Sequence, residues 1–173
     1  MKTALRIAAA TAALVPSLLS AQAPVAAAFR NNAMEMAKNL VAAAETMPAD
    51  KYSFKPTPAQ MSFADIVMHL AQGNDFLCAK ISGMAAPNRS KMTTSADKPA
   101  MVARLKDTFD YCTMALANLD DSKLGEEMPL FGGKTMTRAA VETLTTGDWA
   151  DHYSQFAIYL RLNGHLPPTA KKP

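Results

Sequence analysis

The sequence predicts an all-α fold, a four-helix bundle preceded by a cleavable signal peptide. Four segments of roughly twenty residues or more carry apolar side chains at helical spacing. Glycine, proline, asparagine and serine collect between them, and no run alternates β-branched or aromatic residues in the way a sheet requires. At 173 residues the chain is long enough for one domain with a sizeable core.

The first predicted helix runs from Val25 to Met47, with Phe29, Met34, Met36, Leu40 and Val41 set among alanines, which favour helix. Pro48-Ala49-Asp50 stops it, and the two prolines of Lys51-Tyr52-Ser53-Phe54-Lys55-Pro56-Thr57-Pro58 stiffen the loop that follows. A second helix begins near Ser62, where Asp65 three residues on supplies a variant of the capping box. Phe63, Ile66, Val67, Leu70, Leu77 and Ile81 trace its apolar face to a stop at Gly83, with His69 and Phe76 side by side at the edge of that face. Residues 84–94 read as a surface connection.

Ser95, Ala96 and Asp97 offer the third start. Met101, Leu105, Phe109, Cys112, Met114, Leu116 and Leu119 carry that helix to Asp120-Asp121. The link from Ser122 to Lys134, with Gly125, Pro129 and Gly132-Gly133, is long enough to cross one end of a bundle. The last helix runs from about Thr137 to Asn163 and ends at Gly164 in the C-capping position, ahead of Pro167-Pro168. The bundle is thus expected over 22–168, with a flexible tail at 169–173.

The first 21 residues have the layout of a secretory signal peptide. Met1-Lys2-Thr3-Ala4-Leu5-Arg6 is basic, Ile7 to Leu19 is apolar but short for a membrane span, and Ser20-Ala21-Gln22-Ala23 is a small-residue exit, with cleavage expected after Ala21. A secreted or periplasmic location follows, with no stable membrane span once the leader is removed. Removing Lys2 and Arg6 leaves 16 of the 18 basic residues against 15 acids, so the formal charge falls from +3 to +1. With no long basic run and few aromatics, the mature chain lacks a nucleic-acid surface. The 12 methionines include no cluster that asks for copper, and several serve as gap-fillers in the core.

In an oxidising compartment Cys78 and Cys112 are the one possible intramolecular pair. They lie on consecutive helices, each about two and a half turns from one end. An antiparallel arrangement would make a bridge reasonable, worth roughly 3 to 4 kcal/mol. Two buried free thiols are the alternative.

The residues that point to chemistry are on the last helix. Val141, Leu144, Asp148, His152, Phe156 and Tyr159 fall within an arc of roughly 120°, which places Asp148 and His152 in an apolar stripe. A polar group there costs on the order of 1 to 3 kcal/mol unless it is partnered. With His69 from the second helix, the pair offers two imidazoles and a carboxylate, a set able to hold Zn²⁺, Ni²⁺ or Fe²⁺ with water in the open positions. The four-residue spacing equally suits a plain Asp-His hydrogen bond with no metal. Tyr153 and Gln155 are candidates for hydrogen bonds to a substrate or between helices. Arg161 is expected to answer the helix dipole and His165 to lie exposed.

Phe54-Lys55-Pro56-Thr57-Pro58, then Ser62-Phe63-Ala64-Asp65-Ile66-Val67-Met68-His69-Leu70-Ala71, then His152-Tyr153-Ser154-Gln155, and finally Tyr159-Leu160-Arg161-Leu162-Asn163-Gly164 with Pro167-Pro168, together resemble the DinB-like superfamily. The resemblance covers nearly all of the mature chain. It implies an up-down-down-up bundle, often dimeric, in which three histidines gather a divalent metal near one end. Some relatives are thiol-dependent transferases or isomerases. Carried over by position, two of those ligands fall on His69 and His152, and the third falls on Asp148, where this chain has a carboxylate in place of an imidazole.

Two functions follow as expectations. One is a secreted metal-dependent enzyme, with Zn or Ni and a thiol-dependent transferase or hydrolase chemistry, acting on a small molecule. The other is a non-catalytic helical bundle that binds a small ligand or a second subunit, its metal site degenerate. A role on DNA fits neither the location nor the charge.

Overall fold

The computed structural model describes residues 23–170, so the predicted signal peptide and the last three residues lie outside the described part. Four helices dominate it: α1 (Pro24–Thr46), α2 (Phe63–Ser82), α3 (Lys98–Leu116) and α4 (Arg138–Leu162). The start signals read from sequence work as expected. Ser62 and Asp65 form a reciprocal capping box at α2, Asp97 caps α3 through the Ala100 amide, and Thr137 caps α4 through the Ala140 amide. Gly83 and Gly164 take positive φ at the ends of α2 and α4, where a side chain would be strained.

Side-chain pairings fix the helix directions. Asn74 meets Thr108 and Cys78 meets Cys112, so α2 and α3 run parallel. Phe63 stacks on Phe156 while Asn74 reaches back to Trp149, so α2 and α4 run antiparallel. Lys106 pairs with Glu45 and Arg30 reaches Leu119, which sets α1 against α3 in opposite directions. The result is the up-down-down-up order that the resemblance implied.

The cysteines are bridged, with Cα atoms 5.3 Å apart. The antiparallel arrangement named as a condition for the bridge is not needed, because the bridge joins parallel helices. The connection between α2 and α3 is long enough to return along the bundle, so consecutive helices need not form a hairpin.

The predicted absence of strands also needs a correction. Within the long link, β1 (Glu127–Pro129) and β2 (Thr135–Thr137) pair antiparallel, with Met128 opposite Met136. Gly132 and Gly133, at φ 68° and 69°, reverse the chain at the tip, and buried Met128 and Leu130 anchor it. Two glycines between two short runs are a hairpin signal, but strands of three residues are too short to show alternation.

One residue ties the four helices together. Trp149 of α4 is fully buried, stacks on Phe29 of α1 at 6.0 Å and faces Phe109 of α3 at 5.9 Å. Its indole N–H donates to the Asn74 side-chain carbonyl of α2 at 2.8 Å, and the Asn74 amide donates to Thr108 of α3. A buried indole N–H requires such a partner, so this contact sets how α4 is rotated about its axis.

Beyond α4, Pro168–Ala170 forms a single 3₁₀ turn, and Tyr153 exchanges hydrogen bonds with Thr169. The tail expected to be flexible from residue 169 is therefore held at its first two positions.

Candidate metal centre

With Trp149 locked into the core, the residue before it turns by about 100° toward α2. Asp148 therefore lies at the edge of the buried face of α4, its side chain 27% exposed, rather than in the middle of an apolar stripe. Thr145 and Trp149 occupy the middle. His152, one turn on from Asp148, is 8% exposed, and His69 across the groove on α2 is 50% exposed. The three side chains thus grade from core to solvent, and an incoming molecule would meet His69 first.

Contacts on both sides hold this register. Toward the α4 C-terminus, Phe63 stacks on Phe156 with centroids 4.3 Å apart, and the Tyr159 hydroxyl donates to the Met61 carbonyl. Toward the other end stands the Asn74–Trp149 hydrogen bond. The α2–α4 pair cannot slide without breaking one or the other.

Asp148 Oδ1 is 3.4 Å from His152 Nε2 and 3.6 Å from His69 Nε2. The two imidazoles meet edge to face at 4.8 Å between centroids. One donor atom from each of the three residues lies within 4.8 Å of the others, and this is the one such group of three or more found among the described residues. Ordinary N–H···O bonds span about 2.7 to 3.2 Å, so both Asp-His separations are long for hydrogen bonds. Around a tetrahedral ion with bonds of roughly 2.1 Å, neighbouring donors are about 3.4 Å apart, which the two Asp-His separations match. Two borderline nitrogens and one hard oxygen suit a divalent transition ion.

Electrostatics follow from the same geometry. Burial alone would push Asp148 up, but His152 first and then His69 outweigh it and hold the carboxyl below its ordinary range. Burial likewise opposes charge on His152. Asp148 outweighs it, with smaller help from Asp151 and Gln155, and the imidazole is held above its ordinary value.

The remaining site expectations fall in different places. Gln155 lies beside the cluster, donating to Asp151 at 2.7 Å, and both adjoin His152. The Tyr153 hydroxyl is engaged with Thr169 and serves the C-terminal turn. Arg161 donates to the Ala157 carbonyl in the last turn of α4, as the dipole argument expects. His165 is half-buried rather than exposed. Sequence reading missed the positioning pair Asn74 and Trp149 and the flanking Asp151. A single tryptophan four positions before an aromatic-rich helical turn was the available signal for the anchor.

An up-down-down-up helical bundle with a His-Asp-His cluster between α2 and α4 defines the class of protein. The chain belongs to the DinB superfamily, whose family model matches residues 34–156, a span that includes all three cluster residues. The fold is similar to that of the crystal structure of a DinB-like protein, YjoA, from Bacillus subtilis. The TM-score is 0.65 at 22% identity, over 80% of this chain and 92% of that one. No curated protein matches the chain. Among the described residues, no helix is long and apolar enough to cross a membrane.

Proposed function

We propose that this is an exported, divalent-metal-dependent enzyme in which His69, Asp148 and His152 hold Zn²⁺ or Ni²⁺ and a small electrophilic molecule is the substrate. The observation that carries this reading is the convergence of two imidazoles and a carboxylate, with both Asp148–His separations long for hydrogen bonds and near the edge of a coordination polyhedron, and all three donors within 4.8 Å of one another. Three protein ligands leave positions open, which is the mark of a catalytic rather than a structural site. The chemistry such an ion supplies when bound is acidification of a water or a thiol, which suits hydrolysis or thiol transfer. His152 is the buried anchor, Asp148 bridges between the rings, and His69 stands at the solvent side. The N-terminal leader and the Cys78–Cys112 bridge support export.

The test is elemental analysis of protein purified without an affinity tag or chelator, followed by titration with Zn²⁺ and Ni²⁺. Near one equivalent is expected. Less than about a tenth of an equivalent, with no uptake on addition, would overturn the proposal.

A second reading rests on Asp148 and His152 lying 3.4 Å apart one turn from each other on α4, an arrangement that a plain carboxylate–imidazole pair also gives. Under it the chain is a non-catalytic bundle that binds a small ligand or another subunit. A turnover lost in His69→Ala with an unchanged melting temperature separates the two, since it belongs to the enzyme alone.

A further inference from the structure

Phe76 follows His69 by seven residues on α2, so the two share one face, about 10 Å apart along the axis. Phe76 is 37% exposed, and its ring is 6.1 Å from that of Phe131, which is 55% exposed at the start of the hairpin tip. The hairpin leads directly into α4 and yet touches α2 with this ring, so its tip reaches from the α4 side of the groove to the α2 side. Lys80 lies over Phe76 at 5.7 Å and rims the pair with charge.

Between His69 and Phe76 on the same face stands Gly73. Nothing lies within 4 Å of where its Cβ would be. That position of the face between the cluster and the two phenyl rings therefore carries no side chain.

Phe131 is not needed to hold the hairpin. Met128 and Leu130 are the buried anchors, and the strand pairing with its glycine turn closes the loop. Two exposed aromatic rings kept together on the face of α2 that carries His69 are surface that a ligand can cover.

From this juxtaposition we infer that Phe76 and Phe131 form the specificity wall of the site, receiving an aryl group of a small-molecule substrate whose reactive end lies at His69, Asp148 and His152. The inference rests on the metal reading above and extends it to a substrate class, namely small molecules with an aryl body and a polar, metal-directed end roughly 10 Å apart.

The experiment uses zinc-loaded full-length mature protein and hydroxamates as probes, with affinities read by calorimetry. Acetohydroxamate reports the ion alone. An arylalkyl series of increasing linker length reports the wall. Affinity should pass through a maximum where the linker spans the roughly 10 Å between the cluster and the rings, at least about tenfold tighter than acetohydroxamate. Phe131→Ala and Phe76→Ala should each remove most of that gain and leave acetohydroxamate unchanged, while Phe131→Leu keeps part of it.

Acetohydroxamate binding with no aryl advantage overturns the wall and leaves the metal reading standing. Failure of zinc itself to bind overturns both. A dimer that Phe131→Ala converts to monomer, with every hydroxamate affinity unchanged, assigns the rings to a second copy of the chain and overturns the inference.

Discussion

His152 and His69 meet edge to face across the α2–α4 groove, their ring centroids 4.8 Å apart, with one oxygen of Asp148 within 3.6 Å of a nitrogen on each. Two imidazoles and a carboxylate thus converge on one place between the helices, the arrangement that a divalent ion would need.

Removing a donor should abolish tight metal binding. His152→Ala and Asp148→Ala are expected to weaken zinc affinity by more than about a hundredfold, read by competition with a chromogenic chelator. Asp148→His, which completes a three-imidazole set, should tighten it by about tenfold or more. Equal affinity in all three variants would place the metal elsewhere.

The disulfide should be a main support of the fold. It spans 34 positions, so Cys78→Ser with Cys112→Ser should lower unfolding free energy by roughly 3 to 4 kcal/mol. Urea denaturation with and without reductant measures the difference. A loss below about 1 kcal/mol would show that packing between α2 and α3 suffices alone.

Glu142 predicts a stability that falls as pH rises. It is buried on α4, and neither of its oxygens has a hydrogen-bond partner among the described residues. Burial, with help from Asp121, pushes its carboxyl above the ordinary range against the pull of Arg138 and Arg30. The folded state then holds the proton more tightly than the unfolded one. Stability from this group is full below the unfolded pKa and declines until pH passes the folded pKa. Glu142→Leu should flatten that decline and stabilise the protein at pH 8 by about 1 kcal/mol. A steeper decline in the variant, followed by thermal melts across pH, would refute the argument.

The capping box at α2 titrates the other way. Ser62 holds Asp65 below its ordinary value through side-chain and backbone hydrogen bonds. This contribution is present above the unfolded pKa and is lost as pH falls through the folded one. Ser62→Ala should cost about 1 kcal/mol at pH 7 and progressively less in acid. A cost that stays constant down to low pH would mean that Asp65 takes no part.

The Trp149–Asn74 bond should couple core to site. Trp149→Phe leaves the Asn74 carbonyl without its donor, at an expected cost of about 1 to 3 kcal/mol. If that bond sets the rotation of α4, zinc affinity should drop in the same variant although no donor has been touched. Loss of stability with zinc affinity intact would assign the rotation to the Phe63–Phe156 stack.

Local information determined the helices, because their signals are short-range. A serine with an acid three residues on, a glycine after the last turn, and apolar side chains three and four apart act within a few residues. The helix count, their approximate ends and the identity of the cysteine partners could therefore be read directly from the chain. So could the residue types at His69, Asp148 and His152, although the apolar arc placed Asp148 too far inside.

Tertiary contacts decided the rest. The meeting of the two cysteines across parallel helices depended on how far the 83–97 connection travels, the hairpin on packing of Met128 and Leu130 that no three-residue strand can announce, and the exposure of Asp148 on an indole seeking a carbonyl from another helix. Where a side chain points is set by its partners across the core, and those partners lie tens of residues away in sequence.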